Sequence, residues 1–84
     1  MRPHELVAHV DSKAALVELV HTLAEDLAAN RESWENPTLE SYLEALAGWL
    51  EDSDGYYRNL QRPMPSKPSW EDVATMLVAA TMYE

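Results

Sequence analysis

The chain has 84 residues, no cysteine, and a formal net charge of −9 from 15 acidic and 6 basic residues. That length fits one domain. The missing cysteines exclude a disulfide framework and a thiolate metal site, and the acidic balance opposes binding to nucleic acid backbones and to anionic membrane surfaces.

Hydrophobic residues make up 46% of the chain, enough for a packed core, and there are only 2 glycines, which argues against a β-protein with many tight turns. The expected class is all-α. No apolar run reaches the roughly 20 residues that span a bilayer. Leu6 to Val10 is too short for a secretory h-region and contains His9. The default expectation is a soluble, cytoplasmic protein of one helical domain over residues 1–84, with an N-terminal arm over residues 1–10.

In that arm, Leu6-Val7-Ala8-His9-Val10 reads either as a short strand or as the lead into a helix. Asp11 or Ser12 then suits a helix cap. Leu16, Val17, Val20, Leu23, Ala24, Leu27 and Ala28 recur at helical spacing, with Glu18, Glu25 and Asp26 off the stripe, so a first helix is predicted over residues 12–30.

The second helix follows Trp34-Glu35-Asn36. Either Asn36 caps it with Pro37 in the first helical position, or Thr38 caps it one step later. Leu39, Tyr42, Leu43, Leu46, Trp49 and Leu50 fall on one face at about 100° per residue, a face assigned to the core. Glu40, Glu44 and Glu51 project together on the other side, within roughly 40° of one another. The Asp-Gly signal within Asp52–Gly55 predicts the end of this helix.

Residues 53–68 then form a long connection in which Pro63, Pro65 and Pro68 exclude a regular helix, with room for one more helical turn early in it. Such loops are usually functional or mobile. Tyr56, Tyr57, Leu60 and Met64 are candidates to pin it to the core. The third helix starts at Ser69, where Ser69-Trp70-Glu71-Asp72 is a variant capping box, and runs through Val73, Ala74, Met76, Leu77, Ala80 and Tyr83. Val78 and Met82 add apolar groups outside its main stripe. A helix apolar over more than half its circumference is either central or covers a second surface, so Val78, Met82 and Tyr83 form a candidate interface with a partner or a second copy.

The residues carry little that suggests catalysis. His4, His9 and His21 lack i, i+4 spacing and the His-Glu-x-x-His pattern, so no metal site is expected. Ser33 or Ser41 with His21 would need an orienting group, and no Gly-x-Ser-x-Gly elbow exists. No glycine-rich loop is present to cradle phosphate. Asp52-Ser53-Asp54-Gly55 lacks the downstream ligands of an EF-hand. The helix-face carboxylates have no environment that would tune one as an acid and another as a base. A non-enzyme without cofactor is the expectation.

Trp34-Glu35-Asn36 admits two readings. In one, an exposed tryptophan beside polar groups is a binding hot spot. In the other, Trp34 staples the start of the second helix while Glu35 and Asn36 satisfy its free N–H groups; this reading accounts for all three residue types. Trp49 and Trp70 lie on apolar stripes and are assigned to the core. From Glu32 to Asp54 the chain has seven acidic residues and no Lys or Arg. Glu40, Glu44, Glu51 and Asp52 are therefore the candidate surface for a basic protein, against the simpler reading of a solvated face.

Trp34-Glu35-Asn36-x-Thr38-Leu39-Glu40-x-Tyr42-Leu43-Glu44-Ala45, followed by Trp49-Leu50-x-Asp52, Trp70 and a closing Tyr83-Glu84, resembles an uncharacterised family of small bacterial domains of unknown function. The resemblance covers residues 10–84. It implies a stand-alone helical module and transfers no catalytic or ligand residue. Three expectations of function follow. The first is an interaction module that binds a basic partner, as a toxin-neutralising or regulatory protein does. The others are a structural homodimer and a small-molecule site near Trp34 and Tyr56-Tyr57.

Overall fold

The computed structural model describes residues 2–83. It is all-α, with four helices: α1 (Pro3–Leu6), α2 (Lys13–Ala29), α3 (Leu39–Asn59) and α4 (Trp70–Ala79). Two 3-10 turns, Val7–His9 and Arg31–Ser33, sit before and after α2. The helices predicted first, second and third correspond to α2, α3 and α4. The arm, for which a strand and a helical lead were both open, forms α1 and its 3-10 turn. Pro3 occupies the first helical position, and the Glu5 carboxylate accepts the Arg2 backbone N–H at 3.3 Å.

Each longer helix begins on a hydroxyl cap. Ser12 accepts the Ala15 N–H at 3.1 Å. Of the two candidates for α3 the cap is Thr38, which accepts the Ser41 N–H at 3.1 Å while the Ser41 hydroxyl oxygen accepts the Thr38 N–H at 3.2 Å. Ser69 and Asp72 form the expected reciprocal box, with bonds of 3.1 and 2.8 Å.

Helix ends depart further from expectation. α3 does not stop at Asp52–Gly55 but continues to Asn59, with Gly55 inside it and no glycine at positive φ. The true stop is Gln61, whose φ of 59° is left-handed. There the Gln61 N–H donates to Arg58 O at 2.9 Å and the Arg62 N–H to Tyr57 O at 3.0 Å. This is the paired-bond Schellman ending, here without its usual glycine. The connection before the last helix is accordingly shorter than predicted. α4 ends at Ala79, so Tyr83 lies outside the helix, just past a turn at 80–82, and Glu84 lies outside the described residues.

α4 is the centre of the fold. It packs against α2, α3, α1 and the 3-10 turn Val7–His9, whereas among the described residues α2 and α3 show no comparable packing on each other. Ala74 and Ala80 are fully buried, their small side chains letting neighbours approach the α4 backbone. Leu19 and Leu23 of α2, Val10 and Ala74 form the main cluster, with Leu77 and Val78 of α4 packed against it. The apolar excess of α4 is thus largely used inside the molecule.

On the other side, α3 presents Ala45, Trp49, Ser53 and Tyr57 to the interior. Two tyrosine hydroxyls tie this pair of helices. Tyr42 donates to Leu77 O at 2.7 Å, and Tyr57 donates to Asp72 Oδ1 at 3.1 Å. The start of α3 therefore lies beside the end of α4 and the end of α3 beside the start of α4, an antiparallel pair.

The buried residues of α3 recur every four positions, and each step of four overshoots a full turn by about 40°. The buried face therefore winds around the helix. Tyr57 is buried at the C-terminal end, while Leu39, at the same angular position five turns earlier, is 74% exposed. Leu43 and Leu50 are exposed with it, which corrects their assignment to the core. Trp49 is buried as expected. Trp70 is exposed, because it occupies the first position of α4 beyond the end of the core.

The revised helix end is directly testable. A Cβ at Gly55 would meet nothing within 4 Å beyond its chain neighbours and the backbone of its own helix. Gly55→Ala should raise stability by about 0.5–1 kcal/mol, and Gln61→Gly should be neutral or stabilising by up to about 1 kcal/mol, both read from urea midpoints. Destabilisation by Gly55→Ala would place the turn at Gly55 after all.

Candidate functional site

Trp34 and Asn36 act as a clamp between elements. The Trp34 ring packs 6.1 Å from the Tyr42 ring, centroid to centroid, in the first turns of α3. This is the expected staple. Its indole N–H also donates to Asp26 Oδ2 of α2 at 2.8 Å. Asn36 does not satisfy N–H groups of α3. Its side-chain amide donates to Ala80 O at 3.0 Å and Tyr83 O at 2.7 Å, and its backbone N–H donates to Thr81 O at 3.1 Å. An amide NH₂ is a donor, so it suits the free carbonyls past the C-terminus of α4, while the Thr38 hydroxyl oxygen suits the free N–H groups of α3. Glu35 is exposed between them.

Asp26 is the polar hub at the end of α2. The Trp34 indole N–H beside it holds its carboxyl below the usual range against the cost of burial, helped by the Asn30 amide at 3.0 Å and by Arg2, whose Nε lies 3.7 Å away. Asp72 is lowered in the same direction by the Ser69 backbone N–H, again against burial, with help from the Ser69 and Tyr57 hydroxyls. Burial raises Tyr57 and Tyr42, and the Asp72 hydrogen bond raises Tyr57 further.

The predicted acidic surface divides. Glu40, Glu44 and Glu51 are exposed on one side of α3. Asp52 lies about 100° further round, where its carboxylate accepts the Tyr83 hydroxyl. The predicted apolar trio also divides. Val78 is half-buried against the main cluster, and the Tyr83 ring lies against α3 at Gly48, where a Cβ would sit 3.4 Å from it. Met82 is 65% exposed. Tyr56 and Tyr57 are stacked edge to face at 5.1 Å, with Tyr57 in the core and Tyr56 leaning on Trp49.

A feature that the residues had assigned to the core is instead an open groove. It runs between α2 and the start of α3 and has a volume of about 380 Å³. Val20, Ala24 and Leu27 form one wall, Pro37 and Leu39 the other, and Leu23, Trp34, Tyr42 and Leu77 the floor. Val17 and Val20 on α2 and Leu39, Leu43 and Leu50 on α3 are all exposed. The signal was available in the excess of apolar positions over what a ten-residue partner helix covers.

The Asp26 hub carries a pH prediction. A carboxyl held below its unfolded range stabilises the fold above that range, near pH 4, and the contribution disappears as pH falls through the lower folded value. Asp26→Asn should therefore be less stable than wild type at pH 7, with the gap in urea midpoint closing towards pH 2. An equal gap at both pH values would contradict this. Asn36→Ala should cost about 1–3 kcal/mol by leaving helix-end carbonyls unpaired, while Glu35→Ala should change stability by less than about 0.5 kcal/mol.

Among the described residues no helix is long and apolar enough to cross a membrane. No curated protein and no solved structure matches the chain. A family of unknown function (DUF7660) matches residues 12–84, from the cap of α2 to the end of the chain, and the protein belongs to that family.

Proposed function

We propose that this protein is a non-catalytic interaction module that holds a basic protein partner, as a neutralising or regulatory protein does. One observation carries the reading: the balance of apolar side chains between core and surface. Among the described residues, ten large hydrophobic side chains are exposed, while eight hydrophobic residues are buried and three of those are alanines. Two of the ten, Val20 and Leu39, line one open groove, and contiguous exposed apolar surface in a small protein marks a binding site more often than chance.

The accessible surface supports the same reading. It is 5812 Å² for a chain of 9.5 kDa. A compact monomer of that mass exposes about 5,000 Å². The excess reflects a flattened body of 36 × 28 × 17 Å that leaves much of α2 and α3 at the surface.

Charge points to the kind of partner. Glu40, Glu44 and Glu51 stand in solvent, and the one ion pair among the described residues is Arg2–Asp26, far from them in sequence. The carboxyls with lowered values, Asp26 and Asp72, serve as acceptors at helix ends, which is structural work. A homodimer through Val78, Met82 and Tyr83 has less support, since two of the three are engaged inside the chain. A small-molecule site joining Trp34 to Tyr56 and Tyr57 has less support too, because these aromatics pack in separate clusters.

The reading is tested by affinity capture on the immobilised wild-type chain and on a Glu40→Lys, Glu44→Lys, Glu51→Lys variant, at low and high salt. A protein retained by wild type at low salt, released at high salt and lost on the variant is expected. Identical retention on both chains, or none that responds to salt, would end the proposal.

A further inference from the structure

The end of α3 and the Pro-rich segment after it carry charge opposite in sign to the chain's net charge. From Gly55 to Trp70 there are three basic residues, Arg58, Arg62 and Lys67, and no Asp or Glu. All three are exposed, and none joins an ion pair among the described residues. The backbone is equally free. Among the described residues, no backbone–backbone hydrogen bond uses an N–H or C=O of residues 63–68.

Both ends of the segment are held. The Arg62 N–H donates to Tyr57 O at 3.0 Å, and its guanidinium lies 5.8 Å from the centre of the Tyr57 ring. At the other end Ser69 is locked in the capping box of α4. Between them the Met64 sulfur accepts the hydroxyl of buried Ser53 at 3.5 Å. Proline sets the shape of this strap. Each proline fixes its own φ and pushes the residue before it out of the helical region. In Arg62-Pro63-Met64-Pro65-Ser66-Lys67-Pro68, every residue but Ser66 is a proline or precedes one. The sequence therefore favours a polyproline II strand, and the chain bends where that constraint lapses, at Ser66 and Lys67. Polyproline II turns once every three residues. Met64-Pro65 and Lys67-Pro68 are thus one turn apart in a straight strand, and Arg62 is one turn before Pro65.

We infer that residues 62–68 dock as a polyproline II strand into an aromatic-lined groove of another protein, with Arg62 paired to a carboxylate at one end of that groove. Aromatic slots take proline pairs at this spacing, and the unbonded carbonyls of the strap are open acceptors. Straightening the bend orders mainly Ser66, whose N–H has no backbone partner to lose. The strap takes a partner of the opposite charge from the one proposed for the acidic face of α3, so either surface can fail without the other.

The probe is a panel of isolated SH3 domains that take Arg-led proline peptides, titrated into the labelled full chain and followed by amide shifts. At least one should shift Arg62, Met64, Ser66 and Lys67 while Val20 and Leu39 stay unmoved. Arg62→Ala, Pro65→Ala and Pro68→Ala should each weaken binding at least tenfold. Pro63→Ala, outside the three-residue register, should change it less than threefold. Ser66→Pro should tighten it several-fold by presetting the bound backbone. Circular dichroism of each variant separates lost binding from lost fold.

No shift with any domain, equal losses from Pro63→Ala and Pro65→Ala, or weakening by Ser66→Pro would overturn the inference. Retention on phosphatidylserine vesicles in place of any domain, unchanged by Pro65→Ala, would overturn it in favour of a membrane surface recognised by charge alone.

Discussion

The architecture depends on one disproportion: the helix at the centre is the shortest of the three long ones. α4 has 10 residues, against 17 in α2 and 21 in α3. At 1.5 Å per residue it spans about 15 Å, while its neighbours span about 25 and 31 Å. A short central helix saturates its own apolar surface against several neighbours but cannot cover the full length of two longer ones. The uncovered lengths of α2 and α3 become surface. The result is a flattened body of 36 × 28 × 17 Å whose core is small and whose apolar walls are long.

A small core needs other means of holding its parts in place, and here these are polar. The Tyr42 and Tyr57 hydroxyls fix α3 against the two ends of α4. Asn36 closes the C-terminal carbonyls of α4 from a loop more than 40 positions earlier in the chain, and Trp34 joins that loop to Asp26 at the end of α2. Trp34 and Asn36 thus tie three elements together while Glu35 stays exposed, and the tryptophan also forms part of the groove floor. Clamp and groove share Trp34 and Asn36, so the groove is tied both to α2 and to the end of α4.

What the residues disclosed in advance follows from the range of each interaction. Helix starts were legible because a cap is a local device. Ser12, Thr38 and Ser69 each bond a backbone N–H three positions on. The end of α3 was misplaced because Gly55 resembles a stop signal, while the residue that adopts the left-handed turn is Gln61, which carries no such signal. Sequence alone points Asn36 to the nearer helix end, because its true acceptors are distant in sequence. Leu39, Leu43 and Leu50 look like core by spacing because periodicity reports that a face is apolar, not that anything lies against it. The acidic strip was legible as Glu40, Glu44 and Glu51, whereas the separation of Asp52 from it required the position of Tyr83.

The central claim is that the walls of the groove are open in the isolated chain while the α4 side of the same helices is closed. The absence of native cysteine makes thiol labelling a clean measure of this. Single variants Val20→Cys and Leu39→Cys should react with a soluble thiol reagent at rates within a few-fold of the urea-unfolded chain. Leu19→Cys, one position from Val20 but fully buried, should react at least a hundredfold more slowly under native conditions. Protection of Val20→Cys and Leu39→Cys comparable to that of Leu19→Cys would show these walls covered in the free protein and would contradict the account.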